Sequence, residues 1–328
     1  MVNRRYVVRR FALMLVSLFM VLSVLFVLFR LVPGDPMSTV MDPRMPPEAR
    51  EMVAEQYGLN EPLYVQYALY MTNVVQGDFG ISFYYQRPVF DIIWGRLSNT
   101  LALMLTAFVM SYAVGTYLGA HLGWIRGTAR ERVEMTIVLL IRSAPVFWVG
   151  MVMLYVFSFQ LGWFPLGGMR SVDAQYANAF EKFLSPDFLY HLVIPVITLS
   201  LFYTGLPLLL MRNNLLEVLT EDYIDTARAK GLAERRIMIR HAARNAILPV
   251  VTAFAIAVGF SVGGQVLIEQ VFSWPGLGRE MVQASLRNDY PLAQATFFLL
   301  SVIVISMNFM ADLAYSYLDP RVQIGGEE

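Results

Sequence analysis

The two lysines of this 328-residue chain, Lys182 and Lys230, are followed by Phe183 and Gly231. A phosphate-binding loop needs Lys followed by Ser or Thr after a glycine-rich turn, so neither lysine can cradle a nucleotide in that way. No HExxH pattern occurs, and no serine or carboxylate is grouped with a base at useful spacing. Without cysteine there is no disulfide, thiolate metal site or Cys nucleophile, and His121, His191 and His241 are too scattered for a metal site. These residues predict a chain that is not itself an enzyme and binds no cofactor or metal.

The polar chemistry gathers instead in one charged island, Glu221 to Pro249 (EDYIDTARAKGLAERRIMIRHAARNAILP), between two apolar stretches. Thr220 is a candidate N-cap, Glu221 and Asp222 stand at the positive helix end, and Arg228 and Lys230 precede a stop at Gly231. That pattern predicts a short capped helix carrying Asp225 and Thr226. Tyr223, Ile224 and Ala227 fall at helical spacing and are expected to offer a small apolar face to a partner outside the membrane. The other reading is a solvated loop helix. Arg236, Arg240 and Arg244 form a stripe at i, i+4 spacing that either touches the same partner or faces lipid headgroups.

The elements that must hold this island are apolar. With 57% hydrophobic and 15% charged residues, the chain has too little polar surface for a water-soluble globule, and a bilayer solvates it. Net charge is zero, which gives no reason to expect a nucleic-acid partner. Six spans of roughly 20 residues, enough to cross about 30 Å of hydrocarbon, are drawn at 11–31, 98–123, 135–160, 189–211, 247–268 and 293–318. The predicted fold is all-α, a polytopic membrane protein with six transmembrane helices. Its first span is too long for a signal-peptide core, lacks a small-residue cleavage site and is expected to remain as an anchor.

Lysine and arginine are distributed unevenly. Arg4, Arg5, Arg9, Arg10, the group after span two, the seven after span four and Arg321 fall on one side, against Arg170, Lys182, Arg279 and Arg287 in the short opposite loops. The positive-inside rule therefore places both termini and the island in the cytoplasm. Trp94, Trp124, Trp163 and Trp274 lie near span ends and are expected at headgroup level. Gly115, Gly119 and Gly123, and again Gly259 and Gly263, are spaced for close helix packing. Pro145, Pro195 and Pro207 remove backbone donors inside spans three and four, for static packing or beside a pathway.

The external segment between Val32 and Arg96 is too long for a simple connector. Pro46 and Pro47 before Glu48–Tyr57, with Gly58 after, predict one helix. Leu63, Tyr64, Tyr67, Leu69 and Tyr70 predict an amphipathic stretch that lies on the outer surface or forms a docking platform. Within the spans, Arg142 is expected to snorkel and Glu269 to sit at the outer interface. Asp312 either bonds a neighbouring helix or lines a pathway.

The residues then carry a family resemblance along nearly the whole chain. Arg30-Leu31-Val32-Pro33-Gly34-Asp35-Pro36, Tyr57-Gly58-Leu59-Asn60-Glu61-Pro62-Leu63 and Gly77-Asp78-Phe79-Gly80 resemble the first span end and external domain of permease subunits in dipeptide/oligopeptide/nickel-type ATP-binding-cassette importers. Ser143-Ala144-Pro145-Val146-Phe147-Trp148, Leu161-Gly162-Trp163-Phe164-Pro165 and Val271-Phe272-Ser273-Trp274-Pro275-Gly276-Leu277-Gly278 resemble later motifs of the same permeases. The resemblance implies the type I-like permease fold, divided into an N-terminal span with external segment (1–97) and a five-helix core (98–328). It also implies an ATPase-coupling loop at about 212–246. Asp225-Thr226-Ala227 stands in place of the acid-Ala-Ala triplet and Gly231 in place of its glycine, with Thr226 a departure and a longer interval from Gly231 to Pro249 than the general consensus.

By the same resemblance, the chain is a bacterial inner-membrane subunit forming half of a pathway for di- or oligopeptides. Its implied partners are a second homologous permease, two cytoplasmic ATPases that hold ATP and Mg, an external solute-binding protein and the lipid bilayer. Nickel or oligosaccharide import is the alternative inside this class. A self-contained secondary transporter or channel is the alternative of another class, expected to show paired intramembrane charges or inverted repeats.

Overall fold

The computed structural model describes residues 4–31, 61–174, 176, 178–260 and 265–318. The expected helix at 48–57, motif residues 32–36 and 57–60, Gly263 and Arg321 lie outside them. In chain order the first helices are α1 (Arg4–Leu31), α2 (Leu63–Val75), α3 (Val89–Trp124), α4 (Ala129–Ser143), α5 (Val146–Gln160), α6 (Ala179–Leu184) and α7 (Pro186–Tyr203). There follow α8 (Gly205–Val218), α9 (Asp222–Ala229), α10 (Glu234–Ala246), α11 (Leu248–Phe260), α12 (Val266–Val271), α13 (Leu277–Leu286) and α14 (Tyr290–Leu318). Among the described residues the only β pairing is an isolated bridge between Ile81 and Pro88.

The all-α membrane fold expected from hydropathy is present, but not as six straight rods. Four helices, α1, α3, α7 and α14, are long and apolar enough to cross a bilayer, and two bent pairs raise the number to six if each pair is one span. The pair α4 and α5 turns through 97°. Pro145 is the cause: the residue before a proline is pushed out of helical geometry, and Ala144 is extended with ψ 141. The pair α10 and α11 bends by 46°. The span drawn at 189–211 is instead α7 and α8, parted at Thr204, and helix continues to Val218. Pro195 lies inside α7, whereas Pro207 occupies the first turn of α8, where no intrahelical donor is needed.

The chain forms two compact units, Met1–Asn99 with Gly276–Glu328, and Thr100–Pro275. The division after residue 97 read from the sequence put the last span in the core; packing groups it with the N-terminal segment. In this first unit α14 lies along α1, with Phe29 edge-on to Tyr290 at 5.8 Å and Phe11 edge-on to Phe309 at 6.0 Å. α2 turns Tyr67 and Tyr70 inward onto Phe26, and Tyr67 Oη shares a 2.7 Å hydrogen bond with Ser23. Leu63 and Tyr64 stay exposed, so only part of the amphipathic stretch is open to a surface or partner. Asp289, buried, accepts from Ser82 Oγ at 2.5 Å and from the Phe83 and Tyr84 amides, fastening the turn before α3 to the start of α14.

In the second unit α3 packs face to face with α8 through its glycine stripe. A Cβ at Gly115 would lie 2.6 Å from Pro207 Cγ, and one at Gly119 would overlap the carbonyl of Leu208. The stripe is therefore a packing device, as its spacing suggested. Two outer-loop expectations change. Trp274 is fully buried against Phe188, not at headgroup level, because its turn tucks beneath the loop around Gly168, whose amide donates to the Phe272 carbonyl at 2.8 Å. Glu269 is likewise fully buried rather than interfacial, accepting a 2.6 Å hydrogen bond from Thr100 Oγ1.

Candidate functional site: a capped surface helix

The island folds as α9, a tight turn and α10. Glu221, not Thr220, takes the N-cap position, with φ −79 and ψ 142. Thr220 instead donates its hydroxyl to the Glu217 carbonyl at 2.7 Å, because α8 runs on far enough for that oxygen to be in reach. Asp222 and Asp225 occupy the first turn, where the helix dipole favours negative charge, and Arg228 the last.

The C-terminal end is a Schellman closure. Lys230 is the C-cap, Gly231 adopts φ +72, the Gly231 amide donates to Arg228 O at 2.9 Å and the Leu232 amide to Ala227 O at 3.3 Å. Gly231 is thus a glycine for a conformational reason, since a residue bearing a Cβ resists left-handed geometry. Leu232 then packs against the same apolar cluster as Ile224 and Ala227.

The apolar face differs from expectation. Ile224 is fully buried and Ala227 nearly so, but both belong to an apolar cluster that takes in Ile237, Ala242 and Ala246 of this chain's own α10, whose Ile237–Ala242 segment packs against α9. Tyr223 remains half exposed and its hydroxyl accepts from Asn245 Nδ2 at 2.7 Å. The apolar residues therefore dock α9 onto α10. The face left outward is mostly polar: Glu221, Asp222, Asp225, Thr226, Arg228 and Lys230 are exposed, together with Tyr223 and Ala229. The reason is burial energy, because a fully buried Ile is worth about 1.5–3 kcal/mol, and an eight-residue helix is too short to be stable without such packing. Arg228 bridges Asp225 at 3.1 Å and Glu234 at 3.2 Å across the turn, exposed contacts that add little energy but align α9 with α10.

Arg236, Arg240 and Arg244 are all exposed on α10, whose middle, Ile237–Ala242, winds as a π-helix. Asp312 is far from this arrangement in sequence and is paired with Arg10, Nη1 to Oδ2 at 3.0 Å, between α1 and α14. Helix pairing thus accounts for a carboxylate in the last span. Arg142 lays its stem across Gly205 at the α7–α8 junction.

One pair was not anticipated. The N-cap Thr128 hydroxyl oxygen accepts from the Glu131 amide at 3.1 Å, while the Glu131 carboxylate accepts from the Gly127 amide at 2.6 Å and, on its other oxygen, from Arg212 Nε at 2.9 Å and Nη2 at 2.5 Å. Only 6% of Glu131 is exposed, so the charge is held by that partner. The pair ties the start of α4 to α8, the helix that leads into α9. A Thr-x-x-Glu spacing was visible in the sequence and signals such a cap, whereas Arg212, distant in sequence, was not readable as its partner.

Comparison with known proteins follows the same outline. Residues 111–324 match the family described as binding-protein-dependent transport system inner membrane component, and residues 3–104 match its N-terminal companion. The oligopeptide transport system permease protein AppB of Bacillus subtilis (strain 168) is 38% identical over 321 residues, covering 97% of this chain and 99% of that protein. The glutathione transport system permease protein GsiC of Escherichia coli (strain K12) is 36% identical over 318 residues, covering 97% and 98%. A probable peptide ABC transporter permease protein, y4tP of Sinorhizobium fredii (strain NBRC 101917 / NGR234), is 35% identical over 318 residues, covering 97% and 99%.

Proposed function

The chain belongs to the binding-protein-dependent transport system inner membrane component family, and from that premise we propose that it forms half of a peptide translocation pathway and receives work from cytoplasmic ATPases through α9. The observation that carries the coupling role is the build of α9, a short helix closed at its C-terminal end by Gly231, whose buried apolar residues pack within its own chain and whose polar residues face out. A helix so anchored moves as a rigid body with α10 and α8, where an unanchored loop would absorb a push. Glu221, Asp222, Asp225, Thr226, Arg228 and Lys230 present the contact surface. Tyr223 and Ala227 hold the helix down, and Gly231 ends it.

A second homologous permease, two ATPases binding ATP and Mg, and an external solute-binding protein complete the assembly. The uneven distribution of Lys and Arg supports an inner-membrane placement with both termini and α9 in the cytoplasm. Peptides are favoured as cargo because the similar permeases are named for oligopeptide, glutathione and peptide transport, and nickel or oligosaccharide import has no comparable support.

The test is a photoreactive residue at position 226 in the assembled transporter. The expected product is a covalent link to an ATPase subunit that changes in yield when ATP is bound. An active complex that gives no such link from position 226 rejects α9 as the coupling element. Saturable, ATP-independent uptake by the isolated chain in liposomes would establish the secondary-transporter reading instead.

A further inference from the structure

α1 carries an arginine at each end of a membrane-length stretch. Arg10 and Arg30 are 20 residues apart, about 30 Å of helix, which equals the hydrocarbon thickness of a bilayer. Their surroundings differ. Arg10 has the carboxylate of Asp312. For Arg30, the interaction found among the described residues is with the ring of Phe26, its guanidinium carbon 5.4 Å from the centroid.

Arg30 is half-buried and lines a partly open cavity of about 80 Å³ in the first unit, between α1, α2 and the start of α14. Asn73 and Gln294 line the same cavity, with Tyr70 and Phe298. Asp78 also borders it, with Oδ1 accepting from the Gly80 amide at 2.8 Å. A guanidinium partly withdrawn from water is costly to leave without an anion, and a polar cavity of this size is filled by waters or by a small polar group.

We propose that this cavity is a binding site for the phosphodiester of a phospholipid headgroup, with Arg30 as its charge partner and Asn73 and Gln294 as amide donors. Three observations select that ligand. The planar guanidinium matches two phosphate oxygens. An exposed apolar stripe, Val16, Phe19, Met20, Val24, Val27 and Leu28, runs up α1 to within two residues of Arg30, so an acyl chain lying on it brings its headgroup to the cavity. The neighbouring Asp78 disfavours a doubly charged anion, and a phosphodiester carries a single charge where a free phosphate group carries about −1.5 to −2.

The experiment uses the full chain, purified in detergent and freed of lipid, titrated separately with dioleoylphosphatidylglycerol, dioleoylphosphatidylcholine and inorganic phosphate, with bound lipid counted by native mass spectrometry. Both lipids are expected to fill one tight site per chain, and inorganic phosphate to leave that site unfilled. Arg30→Gln should weaken this site about tenfold, Arg30→Lys should weaken it less, and Arg9→Gln, at an exposed arginine near the other end of α1, should leave it unchanged. A tight site retained in Arg30→Gln overturns the proposal, as does displacement of the lipid by millimolar inorganic phosphate. The thermal melt of each variant separates loss of the site from loss of the fold.

Discussion

Replacing Gly231 tests the coupling assignment through a single backbone angle. Its φ of +72 lies in the left-handed region, and a Cβ built there meets nothing within 4 Å. Steric overlap therefore contributes nothing, and the whole cost of substitution is conformational, about 1–2 kcal/mol for a residue with a Cβ and greatest for a β-branched one. That cost acts on the two closing hydrogen bonds, Gly231 to Arg228 and Leu232 to Ala227, while buried Ile224 continues to hold the body of α9.

A penalty of this size lowers the ratio of properly closed to misaimed helix by a factor of about 5–30. It leaves the spans untouched. In the reconstituted transporter, Gly231→Val should assemble normally but lose most of its binding-protein-stimulated ATP hydrolysis and peptide uptake. Gly231→Ala should be intermediate, and Gly231→Asn, which tolerates left-handed geometry, should stay near the parental rate. Parental activity in Gly231→Val, or an Asn variant as impaired as Val, would refute the argument that the glycine's conformation aims the helix.

Three further outcomes follow from the same geometry. Ile224→Ala should remove about 2–5 kcal/mol of docking and let α9 detach and unwind in the folded protein, read as faster trypsin cleavage after Arg228 and Lys230 than in the parent. Glu131→Gln should strand Arg212 and lower thermal stability by on the order of 3 kcal/mol, while the double variant Glu131→Gln, Arg212→Met should recover part of the loss; equal melting of all three would remove the buried pair from the account. Because the chain has no cysteine, Asp173→Cys should react with an impermeant thiol reagent outside intact cells and Glu234→Cys should not, and labelling at position 234 would invert the orientation.

Much of this architecture was legible from residue order because its causes are local. Hydropathy over windows of span length marks where helices can cross a bilayer: α1, α3 and α14 take up spans it placed, while the one at 189–211 is parted at Thr204 into α7 and α8. Acids, then bases, then glycine mark a short helix with a glycine stop, and α9 ending at a left-handed Gly231 is that helix, without the N-terminal side-chain cap expected of Thr220. The glycine steps of α3 marked a close contact whatever the partner, because only the absence of a Cβ lets backbones meet.

Tertiary structure decided which surfaces those elements use, since burial depends on neighbours far apart in sequence. The pattern Tyr223, Ile224, Ala227 announced an apolar face but not its occupant, and α10 of the same chain covers it. Trp274 and Glu269 read as interfacial from their position near a span end, yet the fold closes over both. Pro145 announced a perturbed helix, but the 97° turn is a property of the packed segments on either side. Arg212 became the partner of Glu131, and Arg10 of Asp312, only when helices distant in sequence were brought within hydrogen-bonding reach. Local composition specifies what a segment can form, and long-range packing specifies which of its groups remain free to meet another molecule.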